Sequence, residues 1–185
     1  LDIGKKRHLC MSSENLAGLI PGRSGKESYA RCPELMAATK DALREVFGDQ
    51  IAISFYLSTR EPDSWLRSSY WQNLRASDLK MDFDTYVETY RGSADFQPII
   101  DATRIALQDT PLITAALEDT KLTAFGPATP IIDLFPLPPT TRAALTLPIV
   151  KNISPNAATI AKILDLNRSG LDAVALEACK KELLA

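Results

Sequence analysis

The sequence is poor in the residues that metal sites and disulfide frameworks require. It contains one histidine, His8, and three cysteines, Cys10, Cys32 and Cys179, which are odd in number, far apart and not spaced as metal ligands are. We therefore expect reduced, packed thiols in a reducing compartment, and we expect no metal. A lone histidine inside a predicted strand is more often structural than catalytic.

The sequence also lacks a membrane segment, a secretion signal and a dominant charge. It has no run of about 18 apolar residues, and it does not open with a basic and then apolar leader. Its 21 basic and 23 acidic residues give a formal net charge of −2, which provides no general attraction to nucleic acid or to an anionic membrane. These absences predict a cytoplasmic protein that binds neither nucleic acid nor membranes. Any site for an anion therefore has to be formed by a few neighbouring residues.

The sequence does contain enough apolar material for one globular domain. Of its 185 residues, 45% are hydrophobic and 24% are charged, which is ordinary for a domain with a proper core. We expect a single domain over residues 1–185, with a sheet and its crossover helices up to residue 150 and covering helices over 151–185. Because the chain begins at Leu1 without a methionine, we also expect it to be a piece of a longer gene product.

Predicted strands and helices alternate along much of the chain. Short apolar runs with β-branched and aromatic residues predict strands, and apolar residues at helical spacing predict helices, the first of them bounded by Pro33 and Gly48. This alternation is typical of a parallel sheet with right-handed crossovers. The predicted strands cover 5–12, 51–57 and 111–117, and the predicted helices cover 33–47, a segment starting at Pro62, 83–90, 94–107, 131–135, 154–166 and 171–184.

The residues that follow the strand at 51–57 indicate a binding site. Arg60 comes just after this strand. Pro62 suits the first position of a helix, because the N–H group at that position has no partner within the helix and proline lacks this group. In open α/β sheets, ligands bind at the carboxyl ends of strands, where a helix N-terminus offers N–H groups and a partial positive charge. A guanidinium at this junction predicts an anion as the ligand.

The order Arg60, Pro62, Ser68 and Tyr70 resembles the second nucleotide-binding element of the sulfotransferases that use 3′-phosphoadenosine 5′-phosphosulfate (PAPS). In that family the arginine and the serine bind the 3′-phosphate of the donor, so the resemblance assigns this role to Arg60 and Ser68. It implies a three-layer α/β fold with a mainly parallel sheet, similar to that of the P-loop nucleoside kinases. The implied activity is transfer of a sulfuryl group from PAPS to a hydroxyl or amine of a small-molecule or carbohydrate acceptor.

The resemblance also implies a base that activates the acceptor. The predicted strand at 5–12 is similar to the family strand whose end carries this base, which makes Glu14 the expected base. Strand-end carboxylates also commonly cap the segment that follows them, and this role is the alternative for Glu14. The predicted strand at 111–117 ends in Glu118 and Asp119, as a later strand of the family does, and the spacing of the last helices resembles bacterial members.

One family element is absent from these residues. The P-loop, whose amides and lysine hold the 5′-phosphosulfate, is not formed by Gly25 and Lys26, because Ile20 stands where its first glycine would be and Glu27 where it needs a hydroxyl residue. The alternative function is therefore a non-catalytic, sulfotransferase-like protein that binds a nucleotide or a partner.

The two predicted phosphate ligands have structural alternatives of their own. Arg60 has an alternative role as a solvated charge paired with Glu61 or Asp63. Ser68 by itself is a mid-helix serine that would face solvent or bond to its own backbone, and only its spacing from Arg60 suggests more.

Overall fold

The computed structural model describes residues 8–23, 28–146 and 155–184. They form an α/β structure that is mostly helical and contains a two-stranded parallel sheet. In chain order its elements are α1 (Cys32–Phe47), β1 (Phe55–Thr59), α2 (Pro62–Ala76), α3 (Phe83–Tyr90), α4 (Gln97–Leu107), β2 (Leu112–Ala116), α5 (Leu117–Thr120), α6 (Thr129–Asp133), α7 (Pro139–Ala143), α8 (Ala157–Arg168) and α9 (Ala173–Leu184), with 3₁₀ helices over Arg91–Ala94 and Gly126–Ala128.

The chain divides into two compact units. Unit 1 comprises Leu1–Gly18, Ala30–Arg60 and Pro98–Ile149, and unit 2 comprises Leu19–Tyr29, Glu61–Gln97 and Val150–Ala185. The expectation of a single domain stays a prediction.

Unit 1 contains the sheet. Strands β1 and β2 run parallel, in a register that pairs Phe55 with Leu112 and Thr59 with Ala116. The first hydrogen bond of β1 is donated by the Phe55 N–H to the Pro111 carbonyl at 2.9 Å. The buried side chains of this unit include Cys32, Met36, Phe55, Ile100, Thr103 and Leu107.

The α/β class is confirmed, but the strands are shorter and fewer than predicted. Residues 8–12 form no strand, while 5–7 lie outside the described residues. All of 8–12 are exposed, so no burial offsets the cost of ordering them beside a sheet. The strand predicted at 51–57 is formed at Phe55–Thr59, because only these residues have a paired neighbour in β2. Within β1, Phe55 is buried and Ser58 is exposed.

Most predicted helices are present with shifted ends. Helix α1 ends as predicted at Gly48, which has a φ of 83° and donates its N–H to the Arg44 carbonyl at 2.8 Å. The helix predicted from residue 94 begins later because a 3₁₀ helix occupies Arg91–Ala94. One helix was predicted at 131–135, but the chain forms two short helices in this region, α6 and α7, each of which has proline in its first turn.

Unit 2 is packed around α2. Trp65, Leu66, Tyr70 and Leu74 lie on one face of this helix and are buried with Tyr86, Ala94 and Ile163. Fully burying an aromatic or aliphatic side chain of this size contributes about 1.5–3 kcal/mol. Burial of the apolar face of α2 therefore stabilises unit 2.

Two buried polar side chains cap the carbonyl groups at the C-terminal end of α2. Lys180 Nζ donates to the carbonyl oxygens of Leu74 and Ser77 at 2.9 and 2.6 Å, and Asn167 Nδ2 donates to those of Leu74 and Leu79 at 3.1 and 2.8 Å. The last carbonyls of a helix lack intrahelical partners and carry partial negative charge, which favours a cation there. Burial lowers the pKa of Lys180.

The Lys180→Met variant should lose about 1.5–3 kcal/mol of unfolding free energy in unit 2, because it removes charge-assisted hydrogen bonds from buried carbonyls. Urea unfolding followed by tryptophan fluorescence measures this loss, since both tryptophans, Trp65 and Trp71, belong to unit 2. The matched control is Lys181→Met, which removes an exposed lysine whose ion pair with Glu177 is 3.5 Å long and should cost about 0.5 kcal/mol or less. Equal losses in the two variants would contradict the capping role.

Candidate functional site

Arg60 and Glu118 meet at the carboxyl end of the two-stranded sheet. Arg60 directly follows β1, and Glu118 follows β2 in the first turn of α5. Because the strands are parallel and in register, both residues leave the sheet at the same edge. Arg60 Nε lies 3.9 Å from Glu118 Oε1, and the two side chains are 31% and 32% exposed.

The contact between Arg60 and Glu118 is Coulombic rather than a hydrogen bond between these two atoms, because 3.9 Å is too long for one. Two unit charges at about 4 Å attract each other by roughly 4 kcal/mol at an effective dielectric constant of about 20. Partial exposure and the cost of ordering both side chains reduce the net contribution of such a pair to about 1 kcal/mol or less. The Arg60–Glu118 pair taken by itself is therefore a weak interaction.

The backbone that carries Glu118 is well fixed. Thr120 is buried and donates its hydroxyl to the Leu117 carbonyl at 2.9 Å. Thr123 donates its hydroxyl to the Thr120 carbonyl at 2.6 Å, so the end of α5 is held as well. The Oε1 atom of Glu118 is shielded from solvent. These hydrogen bonds hold the turn that carries the Glu118 carboxylate.

The N-terminal turn of α2 does not offer free N–H groups to an anion. Pro62 has no N–H, and the N–H groups of Asp63 and Ser64 donate to the Glu61 carboxylate at 3.1 and 2.8 Å. The Trp65 N–H already donates to the Glu61 carbonyl at 2.8 Å. The expectation that this helix terminus binds an anion through its backbone is wrong, because a carboxylate of the chain itself occupies it. The charge for an anion has to come from Arg60.

Ser68 lies in α2, where it is half-buried. It belongs to unit 2, whereas Arg60 is the last residue of its segment in unit 1. The pairing of the two as phosphate ligands therefore stays a prediction from the sequence. Tyr70, the last residue of the motif, is part of the unit 2 core and donates its hydroxyl to the Met81 carbonyl at 3.2 Å. Burial raises the pKa of Tyr70.

Glu14 is exposed and lies in a turn over residues 14–17. It was placed at the end of a strand on the assumption that residues up to 12 are extended and paired, and this placement is wrong because 8–12 form no strand. No sheet edge therefore holds its carboxylate. Its role as a base stays a prediction.

The importance of Glu118 for Arg60 was missed in the sequence. The alternative role predicted for Arg60 paired it with Glu61 or Asp63; in the structure, Glu61 caps α2 and Asp63 lies 3.9 Å from Arg91. The signal that would have found Glu118 was present: two predicted parallel strands, each followed by a charged residue of opposite sign. Knowledge of the pairing register of the two strands would have been enough to place Arg60 and Glu118 next to each other.

Neither a membrane span nor a metal centre is apparent in residues 8–23, 28–146 and 155–184. No helix in these ranges is long and apolar enough to cross a bilayer. Nor do these ranges contain three or more His, Cys, Asp or Glu side chains grouped so that they could hold a metal ion.

The Glu61→Ala variant should destabilise unit 2 by about 1 kcal/mol, because the N–H groups of Asp63 and Ser64 lose their acceptor. The same fluorescence-monitored urea unfolding measures the loss. Glu88→Ala, which removes an exposed glutamate from α3, is the matched control and should change the stability by about 0.5 kcal/mol or less. If the two variants are equally stable, the Glu61 carboxylate does not cap α2 in solution.

Comparison with known proteins does not assign the chain to a family. No protein-family model, no curated protein and no solved structure matches it. Its function therefore has to be inferred from the residues themselves.

Proposed function

We propose that this chain carries the 3′-phosphate half of a PAPS-binding site and belongs to a sulfotransferase-like protein. The observation that carries the proposal is the position of Arg60, which directly follows a parallel strand and stands two residues before the proline that opens a helix. This strand, arginine, proline and helix order is the one in the sulfotransferase element that the sequence resembles.

The chemistry of Arg60 suits a phosphate ligand. Its side chain is 31% exposed, so a solute can reach it, and its ion pair with Glu118 is long. A phosphate monoester carries about −1.5 to −2 charges at pH 7 and three acceptor oxygens, whereas Glu118 offers one charge. The planar guanidinium matches phosphate geometry and forms paired, charge-assisted hydrogen bonds with it. These properties support binding of a 3′-phosphate by Arg60.

The proposal extends to the finer fold, a three-layer arrangement with a mainly parallel sheet similar to that of the P-loop nucleoside kinases. Its support is the parallel pairing of β1 with β2, since parallel strands require a long crossover and are typical of sheets covered by helices. The crossover here spans residues 60–111 and is rich in helix.

Within a sulfotransferase, bound PAPS supplies the sulfuryl group that passes to a hydroxyl or amine of a small-molecule or carbohydrate acceptor. The part of this chain is to hold the 3′-phosphate through Arg60, with Ser68 as the predicted second ligand. Glu14 is the predicted base that takes the proton of the acceptor.

A non-catalytic nucleotide-binding protein is the second candidate. The observation that favours it is the place of Glu14, which is exposed in a turn and is not fixed at a strand end. A base has to be held within hydrogen-bonding reach of the proton that it removes. Formation of 3′-phosphoadenosine 5′-phosphate (PAP) from PAPS in the presence of hydroxyl or amine acceptors would favour the enzyme, and binding without turnover would favour this candidate.

Thermal unfolding with and without PAP tests the role of Arg60. The nucleotide should raise the Tm of the wild type, because a ligand that binds the folded state stabilises it. Arg60→Ala should lose most of this shift, since charge-assisted hydrogen bonds worth about 1.5–3 kcal/mol correspond to roughly a tenfold to hundredfold change in affinity.

The matched control for this experiment is Arg104→Ala. Arg104 also belongs to unit 1, is exposed in α4 and pairs with Asp101 at 3.2 Å. This variant should keep the full shift with PAP. If PAP shifts the Tm of none of the proteins, or shifts all of them equally, Arg60 is not a phosphate ligand.

A further inference from the structure

We propose that the cleft between helices α2 and α3 binds a small zwitterionic molecule of the dipeptide class, with an ammonium group at one end, a carboxylate at the other and an apolar body between them. All residues that line this cleft belong to unit 2. Neither Arg60 nor Ser68 is among them, so the proposal is independent of the phosphate site.

The cleft has the size and the apolar surface of a small-molecule site. Its volume is about 540 Å³, and ligand sites usually measure about 300–1,000 Å³. The apolar part of its lining consists of Leu66, which is buried, and of Phe83 and Val87, which are half-buried. These three side chains offer a surface on which the apolar body of a ligand leaves water.

The cleft also contains charged side chains of both signs. Asp63 and Arg91 form an ion pair with each other at 3.9 Å. In the part of the chain that the structure describes, no ion pair and no side-chain hydrogen bond involves Arg67, Asp84 or Glu88. A zwitterionic ligand has one group of each sign, so it complements the guanidinium and the two carboxylates together.

The two carboxylates favour a cation beside them. Asp84 and Glu88 are four residues apart in α3, which places their side chains next to each other on the helix surface. Like charges at this spacing repel each other and destabilise the helix. An ammonium group of a ligand removes this repulsion and donates charge-assisted hydrogen bonds to the carboxylates.

Arg67 is placed to hold the carboxylate end of the ligand. Its Cζ atom lies 5.9 Å from the centre of the Phe83 ring, which keeps the guanidinium above the first residue of α3. The side chain is exposed, and a guanidinium that lies over a ring still has N–H groups along its edges. A carboxylate accepts two parallel hydrogen bonds from such an edge.

The spacing along α3 selects a dipeptide rather than a single amino acid. Glu88 follows Phe83 by five residues, which corresponds to about 7.5 Å along the helix axis. Two extended residues reach about 7 Å, whereas an α-amino acid carries both charges on one carbon. The ligand therefore lies along α3, with its carboxylate at Arg67, its ammonium at Glu88 and its side chains on Leu66 and Val87.

Calorimetric titration with L-leucyl-L-leucine tests the proposal. The dipeptide should bind the wild type, and N-acetyl-leucyl-leucine and leucyl-leucinamide, which lack the ammonium and the carboxylate, should each bind about fivefold more weakly. This factor is the equivalent of one exposed ion pair. L-leucine should also bind at least about fivefold more weakly, because it does not reach both ends of the cleft.

Two variants assign the ends of the dipeptide to residues. Arg67→Gln should weaken leucyl-leucine by about fivefold and leave the affinity for leucyl-leucinamide unchanged, since that ligand has no carboxylate. Glu88→Gln should weaken leucyl-leucine equally and leave N-acetyl-leucyl-leucine unchanged. The matched controls are Arg75→Gln and Glu182→Gln, which alter exposed residues of unit 2 outside the cleft and should change the affinity by about twofold or less.

Three results would overturn the proposal. The first is no heat of binding at about 10 mM leucyl-leucine, since even a Kd of about 1 mM would be detected there. The second is equal affinity for the dipeptide and its two capped forms, and the third is an effect of Arg67→Gln and Glu88→Gln no larger than that of the controls. Circular dichroism of each variant shows that any change in affinity occurs in a folded protein.

Discussion

The parallel register of two five-residue strands is the constraint on which the candidate site depends. Pairing Thr59 with Ala116 brings the residues after each strand to the same edge of the sheet, although they are far apart in the chain. Arg60 and Glu118 then lie 3.9 Å apart at their nearest charged atoms. A shift of the register would separate the guanidinium from the carboxylate. The chemistry of this edge is therefore a direct consequence of backbone pairing.

In unit 2, the corresponding constraint is the placement of helix α2, both ends of which are capped by side chains. Glu61 accepts the free N–H groups at its start, and Asn167 and Lys180 donate to the carbonyls at its end. In the last turn of α2, Asn73 Nδ2 donates to the Pro21 carbonyl at 2.7 Å. A Cβ atom on the adjacent Gly22 would lie 2.6 Å from that nitrogen, so the loop can approach the helix only with glycine there.

Local signals in the sequence predicted the start of α2 and the end of α1, but not the long-range contacts. Pro62 and Gly48 act through their own backbone geometry, so the start of α2 and the end of α1 could be placed without knowing the fold. Strand formation depends on a paired neighbour, and residues 8–12 have none. The partner of Arg60 depends on register, and the caps of α2 at its C-terminus come from helices about 90 residues or more further along the chain. No local pattern contains that information.

We propose that Arg60 binds the 3′-phosphate of an adenosine nucleotide. Isothermal titration of the wild-type chain with PAP, and with adenosine 5′-phosphate as the same nucleotide without the 3′-phosphate, tests it most directly. Loss of one phosphate with its charge-assisted hydrogen bonds should weaken binding by about tenfold or more. Equal affinity for the two nucleotides, or no binding of either, would contradict the claim.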